Sequence, residues 1–316
     1  MSTVQEICIV GLGETLVDIP LAGEPTVGGA PFNVAYHAHQ LLQFAGVGAG
    51  RMVSAIADDH WGELILASCR EVGLDARHLQ VRPGDRTGTA KVLVSNGEAG
   101  FEITQDVAWD RIQADEKISS LATRCSAVAF GSLAQRSPLS RQTIQEFVAK
   151  VHGIKLFDVN LRRNSGAGLP GYTAEIIAKS CALANIVKAN EHEWAELATL
   201  LGFELHSCEN EERLREFSHR LLSDFALQGV VITRGAQGAR FFSAEESIQL
   251  SDAPSKAHPI HPVGAGDAFS AGFLFGLATG RRIGQALTLA DRLAALVVQH
   301  PSATPRLPPE LLREIV

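Results

Sequence analysis

The sequence lacks the features that mark a thiolate metal site or a disulfide framework. It contains five cysteines, an odd number, and no Cys-x-x-Cys pair joins any two of them. Widely spaced single cysteines are typical of small buried side chains in a reducing compartment. We therefore expect no zinc site and no redox chemistry at Cys8, Cys69, Cys125, Cys181 or Cys208.

Runs of basic residues are also missing. Lys and Arg number 28 against 35 Asp and Glu, the net charge is −7, and the basic side chains are scattered along the chain. Binding of nucleic acid or of an anionic membrane through charge needs a clustered basic surface. We expect neither partner, so an anionic ligand would need a local binding site.

Long hydrophobic runs are absent as well. The most apolar late stretch, Ala268 to Ala278, is too short to span a bilayer and is interrupted by Gly272 and Gly276. No basic region leads into a long apolar segment near the first residues, so the sequence predicts no signal peptide. We expect a cytoplasmic protein.

The dinucleotide-binding fingerprint is incomplete. Gly11 and Gly13 follow a short apolar run, but Leu16 stands where the third glycine of Gly-x-Gly-x-x-Gly is required. Pro20 also falls where the crossover helix would have to continue. The sequence therefore argues against a nicotinamide or flavin dinucleotide site at this end of the chain.

What the sequence does contain is a regular alternation of short apolar runs and helical patterns. Of its 316 residues, 46% are hydrophobic, which is enough for a substantial core. The alternation predicts an α/β fold with a doubly wound, mostly parallel sheet flanked by helices, built from residues 1–316 as one domain. The strand-like segments are 7–10, 51–57, 127–130, 155–159, 184–187, 229–233 and 240–243, and the clearest helical ones are 140–151, 191–201 and 211–226.

Residues 87–104 do not follow this alternation of strand-like and helical segments. Two β-rich runs flank Asn96-Gly97, which is the strongest two-residue signal for a hairpin turn. Together with the extended segment after Gly13, the hairpin could build a small sheet that stands off the core. We expect a lid formed by about 14–27 and 86–105, which could cover a ligand or form a dimer contact.

The segment from Gly264 to Asp267 precedes an apolar helical run. Small residues at a helix start let backbone N–H groups approach an anion, and the helix dipole adds positive potential there. A carboxylate beside a bound phosphoryl group would be unfavourable unless it takes a proton from an attacking hydroxyl, which is a role open to Asp267. The alternative is a glycine-rich turn with an aspartate that suits the helix dipole.

A second glycine pair precedes a helical pattern from Phe32 to Leu42. Gly28 and Gly29 would give access to the backbone, and Pro31 is acceptable in a first helical turn. Asn33 would then project from that turn toward whatever lies over the two glycines, or it would act locally as a cap.

Polar residues follow several predicted strands, where a doubly wound sheet binds its ligand. Arg162 could hold a phosphate or be an ordinary surface arginine. Asn190 and Glu193 could orient a hydrated Mg²⁺, or form a capping box, or do both. Thr233, with the glycines at 235 and 238, could contact phosphates or form a tight turn.

Together, these segments resemble the PfkB, or ribokinase-like, family of carbohydrate kinases over nearly the whole chain. The opening run from Gly13 to Asp18 is most similar to bacterial fructokinases. The motifs that carry the resemblance are, in chain order, Gly28-Gly29-x-x-x-Asn33, Asp158-x-Asn160-x-Arg162, Lys188-x-Asn190-x-x-Glu193, Thr233-x-Gly235-x-x-Gly238 and Gly264-Ala265-Gly266-Asp267.

The resemblance implies a role for each matching position. In the family, amides at a helix start form an anion hole for the γ-phosphoryl group, and an aspartate takes the proton of the attacking hydroxyl. The implied catalytic set is Gly264, Ala265, Gly266 and Asp267. The implied sugar-binding set is Asp18, Gly28, Gly29, Asn33, Asn160 and Arg162. The implied ATP contacts are Lys188, Thr233, Gly235 and Gly238, with Asn190 and Glu193 organising Mg²⁺ through water.

The chain departs from the family just before the anion hole. The usual run is Asp-Thr-x-Gly-Ala-Gly-Asp, and here His261 and Pro262 replace its Asp and Thr. In related kinases that Asp helps to bind an activating monovalent cation, and the late Gly-Ala that helps enclose the region is Ser302-Ala303 here. We predict weak or absent activation by K⁺.

The expected activity is transfer of the γ-phosphoryl group of ATP to a sugar hydroxyl, with D-fructose as the first candidate acceptor. Ribose, 2-keto-3-deoxygluconate or a nucleoside would suit the same fold, because a few pocket contacts decide such choices. A non-catalytic sugar or nucleotide sensor is the alternative from another class. Retention of Asp267 argues against a sensor, since a protein that only binds has no use for a base beside the γ-phosphate.

Overall fold

The computed structural model describes residues 6–95, 98–162, 172–205, 208, 210–250 and 263–316. Strands and helices alternate along the chain, and the mixed α/β fold class predicted from the sequence is confirmed. The strands are β1 (Ile7–Leu12), β2 (Leu16–Ile19), β3 (Thr26–Gly28), β4 (Gly48–Ala57), β5 (Leu79–Arg82), β6 (Gly88–Ser95), β7 (Glu98–Ile103), β8 (Ala127–Gly131), β9 (Ile154–Asp158), β10 (Ile186–Asn190), β11 (Gly229–Thr233), β12 (Ala239–Phe242) and β13 (Ser247–Leu250).

Ten helices lie in the described part of the chain. They are α1 (Ala30–Ala45), α2 (His60–Val72), α3 (Glu116–Arg124), α4 (Pro138–Lys150), α5 (Ala174–Leu183), α6 (Glu191–Leu200), α7 (Glu211–Asp224), α8 (Ala265–Ala278), α9 (Ile283–Val297) and α10 (Pro309–Ile315). None of the described helices is long and apolar enough to cross a membrane.

The main sheet has nine strands in the order β13-β12-β11-β10-β9-β8-β1-β4-β5. Neighbours from β11 to β5 are parallel, and β12 and β13 add antiparallel at one edge. After β1 the chain goes to β4 on one side and later returns to β8 on the other. The strand order therefore reverses between β1 and β8, where a crevice opens beyond the carboxyl ends of the strands.

Helices cover both faces of the main sheet. Helices α1, α8, α9 and α10 bury one face around residues such as Leu41 and Phe273, and α3 to α7 bury the other around Phe147 and Trp194. Because both faces are buried, the central parallel strands have nearly continuous apolar runs, which is what made them recognisable in the sequence.

A separate four-stranded sheet, in the order β3-β2-β6-β7, forms the lid. Strands β6 and β7 pair antiparallel with Ser95 opposite Glu98, and β2 joins β6 in parallel with Leu16 opposite Gly88. The hairpin over 87–104 is thus confirmed, although its Asn96-Gly97 turn lies outside the described residues. The assignment of 1–316 to one domain and the dimer contact through this lid stay predictions.

The largest differences from the predicted strand boundaries are at the end of β10 and at the start of β4. Strand β10 continues to Asn190 instead of ending at Val187, because its polar end still pairs in register with β11 up to Thr233. Strand β4 begins at Gly48, which pairs with Ile7. Side-chain polarity does not reveal such backbone pairing, so the sequence pattern ended β10 too early.

Candidate active site

A cavity of 440 Å³ lies at the carboxyl ends of the central parallel strands, in the crevice beside β1. The lid forms its other wall through Leu16, Ala90 and Ile103. Most of the residues predicted from the sequence line this one cavity: Asp18, Gly29, Asn33, Asn160, Arg162, Lys188, Asn190, Glu193, Thr233, Gly235, Gly264, Gly266 and Asp267.

Three predicted residues do not line the cavity. Gly28 lies in β3, where the carboxylate of Asp18 occupies the space that a side chain would need. Gly238 has a φ of 78° and its missing Cβ would lie 2.5 Å from the carbonyl oxygen of Leu250, so it serves the turn between β11 and β12. Ala265 is the first residue of α8. Ligand contacts at these three positions stay predictions.

The N-terminus of α8 points its first amides into the site. Gly264 is the N-cap residue with a φ of 87°, and its carbonyl accepts the first intrahelical hydrogen bond, from the amide of Ala268. The amides of residues 264–267 precede that bond, so no carbonyl within the helix accepts from them. They are donors available for an anion, which the positive end of the helix dipole also favours.

Asp267 lies in the first turn of α8 and is buried. Burial raises the pKa of this carboxyl and the neighbouring Asp158 raises it further, whereas a hydrogen bond from Asn33 lowers it. The Nδ2 atom of Asn33 lies 2.7 Å from Oδ2 of Asp267, although the two residues are 234 positions apart. This arrangement suits a base whose pKa is raised toward the working pH.

Asn33 reaches Asp267 because of the loop that begins α1. Gly29 is the N-cap of α1 with a φ of 103°, and a Cβ there would lie 2.7 Å from the carbonyl oxygen of Glu14. The chain after β1 therefore packs directly on this helix start, which only glycine permits. The local side-chain cap considered for Asn33 does not form, since α1 has no side-chain cap hydrogen bond.

A buried network of polar side chains contacts the first turn of α8. The Nζ of Lys188 lies 2.7 Å from Oδ2 of Asp158, and the Oγ of Ser270 lies 3.0 Å from the same oxygen. The Ser270 Oγ is also 3.0 Å from the carbonyl oxygen of Gly266. A charged pair that is satisfied in this way holds its neighbours in one geometry.

The sequence had placed Lys188 among ATP contacts. In the structure its ammonium group pairs with Asp158 and lies 3.4 Å from the point where a Cβ of Gly266 would be. Lys188 is therefore next to the anion-binding amides. Asp158 and Ser270 were not assigned a role from the sequence, and the position of Asp158 at the end of β9 was the available signal.

Asn190 and Glu193 form the capping box of α6. The amide of Glu193 donates to Oδ1 of Asn190, and the amide of Asn190 donates to Oε2 of Glu193. Burial raises the pKa of Glu193, with a further contribution from Asp158. Both side chains line the cavity, and the box uses only one carboxylate oxygen. This oxygen-rich donor set fits a hydrated Mg²⁺, which needs few direct protein ligands.

The remaining predicted residues stand at the ends of β9 and β11. Asn160 has a φ of 34°, a left-handed conformation that asparagine tolerates better than most residues, and it is followed by Arg162 at the cavity wall. Thr233 and Gly235 line the opposite end of the cavity. The residues at 261 and 262, which carried the prediction about K⁺, lie outside the described part of the chain.

A family model described as pfkB family carbohydrate kinase matches residues 14–310. By sequence, the chain is 28% identical over 315 residues to an uncharacterized sugar kinase of Pyrococcus horikoshii, with 94% of this chain and 93% of that protein covered. It is 27% identical over 311 residues to Bacillus subtilis ribokinase, with 93% of each covered. It is 26% identical over 328 residues to 5-dehydro-2-deoxygluconokinase of Halalkalibacterium halodurans, with 98% and 93% covered.

Solved structures have the same fold. Fructokinase from Xylella fastidiosa with bound ATP superposes with a TM-score of 0.82 at 19% identity, with 99% of this chain and 98% of that chain covered. Fructokinase from Vibrio cholerae, as a double mutant bound to fructose, ADP and potassium ion, gives a TM-score of 0.79 at 25% identity, with 100% and 99% covered. At these identities the likeness establishes the architecture and leaves the acceptor sugar open.

Proposed function

The chain belongs to the pfkB family of carbohydrate kinases, and from that premise we propose that it phosphorylates free D-fructose with ATP. The observation that carries the proposal is the position of Asp267. Its buried carboxyl stands in the same helical turn as the anion-binding amides of α8 and faces the cavity beside Asp18. Base and anion hole are thus presented to one space, as an in-line phosphoryl transfer requires.

In this reaction the residues that line the cavity have separate roles. Asp18 and Arg162 hold the sugar, Asp267 takes the proton of its attacking hydroxyl, and the amides of 264–266 receive the charge of the transferred group. The sugar oxygen forms a bond to the γ-phosphorus of ATP while the bond from that phosphorus to the bridging oxygen of ADP breaks.

The nucleotide end of the cavity is the end that Thr233 and Gly235 line. Asn190 and Glu193 would hold Mg²⁺ through its water molecules, and the ion supplies charge neutralisation on the ATP phosphates. Lys188 adds a cation close to Gly266, where the transferred group passes. These positions support Mg²⁺ and ATP as the cofactor and co-substrate of the reaction.

The alternative acceptors are ribose and a sugar acid, because relatives at similar identity carry the names ribokinase and 5-dehydro-2-deoxygluconokinase. The similarity of the opening run from Gly13 to Asp18 to bacterial fructokinases supports fructose as the first candidate. A sensor without turnover is the competing function from another class. It would have no need of a base with a raised pKa beside an anion hole.

The test is the initial rate of ADP formation from Mg-ATP with fructose, ribose, 2-keto-3-deoxygluconate and adenosine, each against a blank without acceptor. We expect the highest kcat/KM with fructose, and a loss of at least a hundredfold in kcat for Asp267→Asn, since a positioned base contributes about 10²–10⁴. Full turnover by Asp267→Asn would refute the assigned mechanism, and silence on every acceptor would favour the sensor.

A further inference from the structure

Glu14 is a buried carboxyl in the cavity that the proposed reaction does not yet use. It follows β1 at the reversal of strand order and is 3% exposed. Its Oε2 atom has no hydrogen-bond partner among the described residues. A buried carboxyl oxygen without a partner is unfavourable for the free protein, so its presence in a ligand cavity points to a partner supplied by the ligand.

The position of Glu14 is fixed by packing. Its carbonyl oxygen fills the space beside Gly29, and the same chain segment presses on the start of α1, where Asn33 binds Asp267. The Glu14 side chain and Asp267 line the same cavity. Glu14 is therefore held in the same part of the cavity as Asp267, which takes the proton of the attacking hydroxyl in the proposed reaction.

The charges that face Glu14 come from four elements. Asp18 on β2 and Asp267 on α8 are acidic, and Arg162 after β9 is basic. Arg136, between β8 and α4, is also close, but its guanidinium is bound to both carboxylate oxygens of Asp110 at 2.8 Å. The acceptor end thus has three carboxyl groups and one uncommitted cation among the described residues.

We propose that Glu14 is a further specificity-determining residue of this pocket, which hydrogen-bonds an oxygen of a neutral sugar and disfavours acceptors that carry a carboxylate. The inference rests on the proposed sugar kinase function. A neutral sugar gives the buried carboxyl groups hydroxyl partners. A sugar acid brings a negative charge for which Arg162 is the one uncommitted cation among the described residues, and Glu14 offers that charge no positive partner.

The protonation state of Glu14 should affect how tightly the sugar binds. Burial raises the pKa of Glu14 to about 7, and Arg162 opposes the shift. Below that pH the carboxyl of Glu14 keeps its proton and can donate it to a sugar oxygen. As the pH rises through about 7 the proton is lost, the donor disappears, and the KM for the sugar rises.

The experiment compares Glu14→Ala and Glu14→Gln with the wild type on fructose and on 2-keto-3-deoxygluconate. Asp291→Asn is the matched control, because Asp291 is a buried carboxyl on α9 that does not line the cavity. For Glu14→Ala we expect the KM for fructose to rise at least tenfold and the preference for fructose over the sugar acid to fall at least tenfold. The KM for ATP should stay within twofold, which also reports correct folding.

Glu14→Gln keeps a donor of the same size that does not titrate. We expect its KM for fructose at pH 6.5 to stay within about threefold of the wild type and to lack the rise above pH 7. The inference is overturned if Glu14→Ala and Glu14→Gln both leave the fructose KM and its pH profile unchanged in an active enzyme, or if the wild type prefers the sugar acid. Absence of turnover by the wild type on every sugar would instead overturn the proposed function, and the inference with it.

Discussion

At the scale of single residues, the carboxyl groups of Asp267 and Glu14 line one cavity but have different hydrogen-bond partners. Asp267 accepts a hydrogen bond from Asn33 and stands at the positive end of a helix, and both features favour its ionised form. Glu14 has no such donor for its Oε2 and is buried, which favours its protonated form. Burial raises the pKa of both carboxyl groups, and only for Asp267 does a side-chain donor, Asn33, oppose that shift.

The bond from Asn33 to Asp267 predicts a pH effect. Because that bond lowers the pKa of Asp267, Asn33→Ala raises this pKa, and a base must be ionised to act. We expect kcat at pH 7 to fall about tenfold, in line with a hydrogen bond to a charged group of about 1.5–3 kcal/mol. Part of this loss in kcat should be recovered at higher pH, where Asp267 is again ionised. A plot of kcat against pH for Asn33→Ala and the wild type measures this.

Gln43→Ala is the control for this variant. Gln43 is an amide on the same helix whose Nε2 binds the carbonyl oxygen of Gly48 and which does not line the cavity. Its kcat profile should coincide with that of the wild type. An Asn33→Ala enzyme with an unshifted acidic limb would show that the bond does not tune the base.

At the scale of elements, the start of α8 is the most constrained part of the described site. Gly264 takes a left-handed φ, and a Cβ there would lie 2.6 Å from the Cβ of Ala303. The Nε2 of His37 on α1 donates to the carbonyl oxygen of Ala303 at 2.9 Å. Burial lowers the pKa of His37 to about 4, so the ring is neutral at physiological pH. Three segments therefore meet at the anion-binding amides.

Gly264→Ala should disturb the contact between the start of α8 and the loop at Ala303. The added methyl group strains the backbone and collides with Ala303, so the amides turn away from the transferred group. We expect kcat to fall about a hundredfold, comparable to the loss of one oxyanion-hole donor, with little change in the KM for the sugar. Steady-state kinetics with fructose and ATP measure both quantities.

Gly284→Ala is the matched control at another helix start. Gly284 lies in the first turn of α9, and no atom lies within 4 Å of its missing Cβ. It should keep wild-type kinetics. Combining Gly264→Ala with Ala303→Gly removes the contact between the two Cβ atoms but leaves the Cα of residue 303 at 2.9 Å and the backbone strain, so we expect only partial recovery. Wild-type kcat in Gly264→Ala alone would contradict the role of these amides.

At the scale of the whole molecule, we expect the response to monovalent cations to depend on segments far apart in sequence. His261 and Pro262 stand where the family has Asp and Thr. The carbonyl oxygen of Ala303, in the late loop, already accepts a hydrogen bond from His37. The replacement of that Asp by His261 removes a carboxylate that a cation in this region would use.

We therefore expect weak or absent activation by K⁺. Initial rates with fructose and Mg-ATP should agree within about twofold between K⁺ and a large inert cation at equal ionic strength. A rate increase of several-fold with K⁺ would contradict the prediction. Restoring the carboxylate with His261→Asp tests the cause, since a gain of K⁺ dependence in that variant alone would identify the missing ligand.

Much of the fold could be predicted because its signals are local. The buried parallel strands have continuous apolar runs, the Asn96-Gly97 turn separates two β-rich runs, and helix starts have their capping residues beside them. The capping box of Asn190 and Glu193 is an example, since both partners lie within one helical turn. The end of β10 was missed, because its pairing depends on β11, some forty residues later in the chain.

The sequence by itself determined the α/β class, the resemblance to carbohydrate kinases, and the glycine-rich start of α8 with its aspartate. These follow from patterns within a few residues, where backbone conformation and capping are decided. Only the tertiary structure decided that Asn33 donates to Asp267, that Asp158 joins Lys188 and Ser270, and that Glu14 is buried in the cavity. Hydrogen bonds and pKa values in the site depend on groups that the folded chain brings together from distant segments, and no local pattern records those distances.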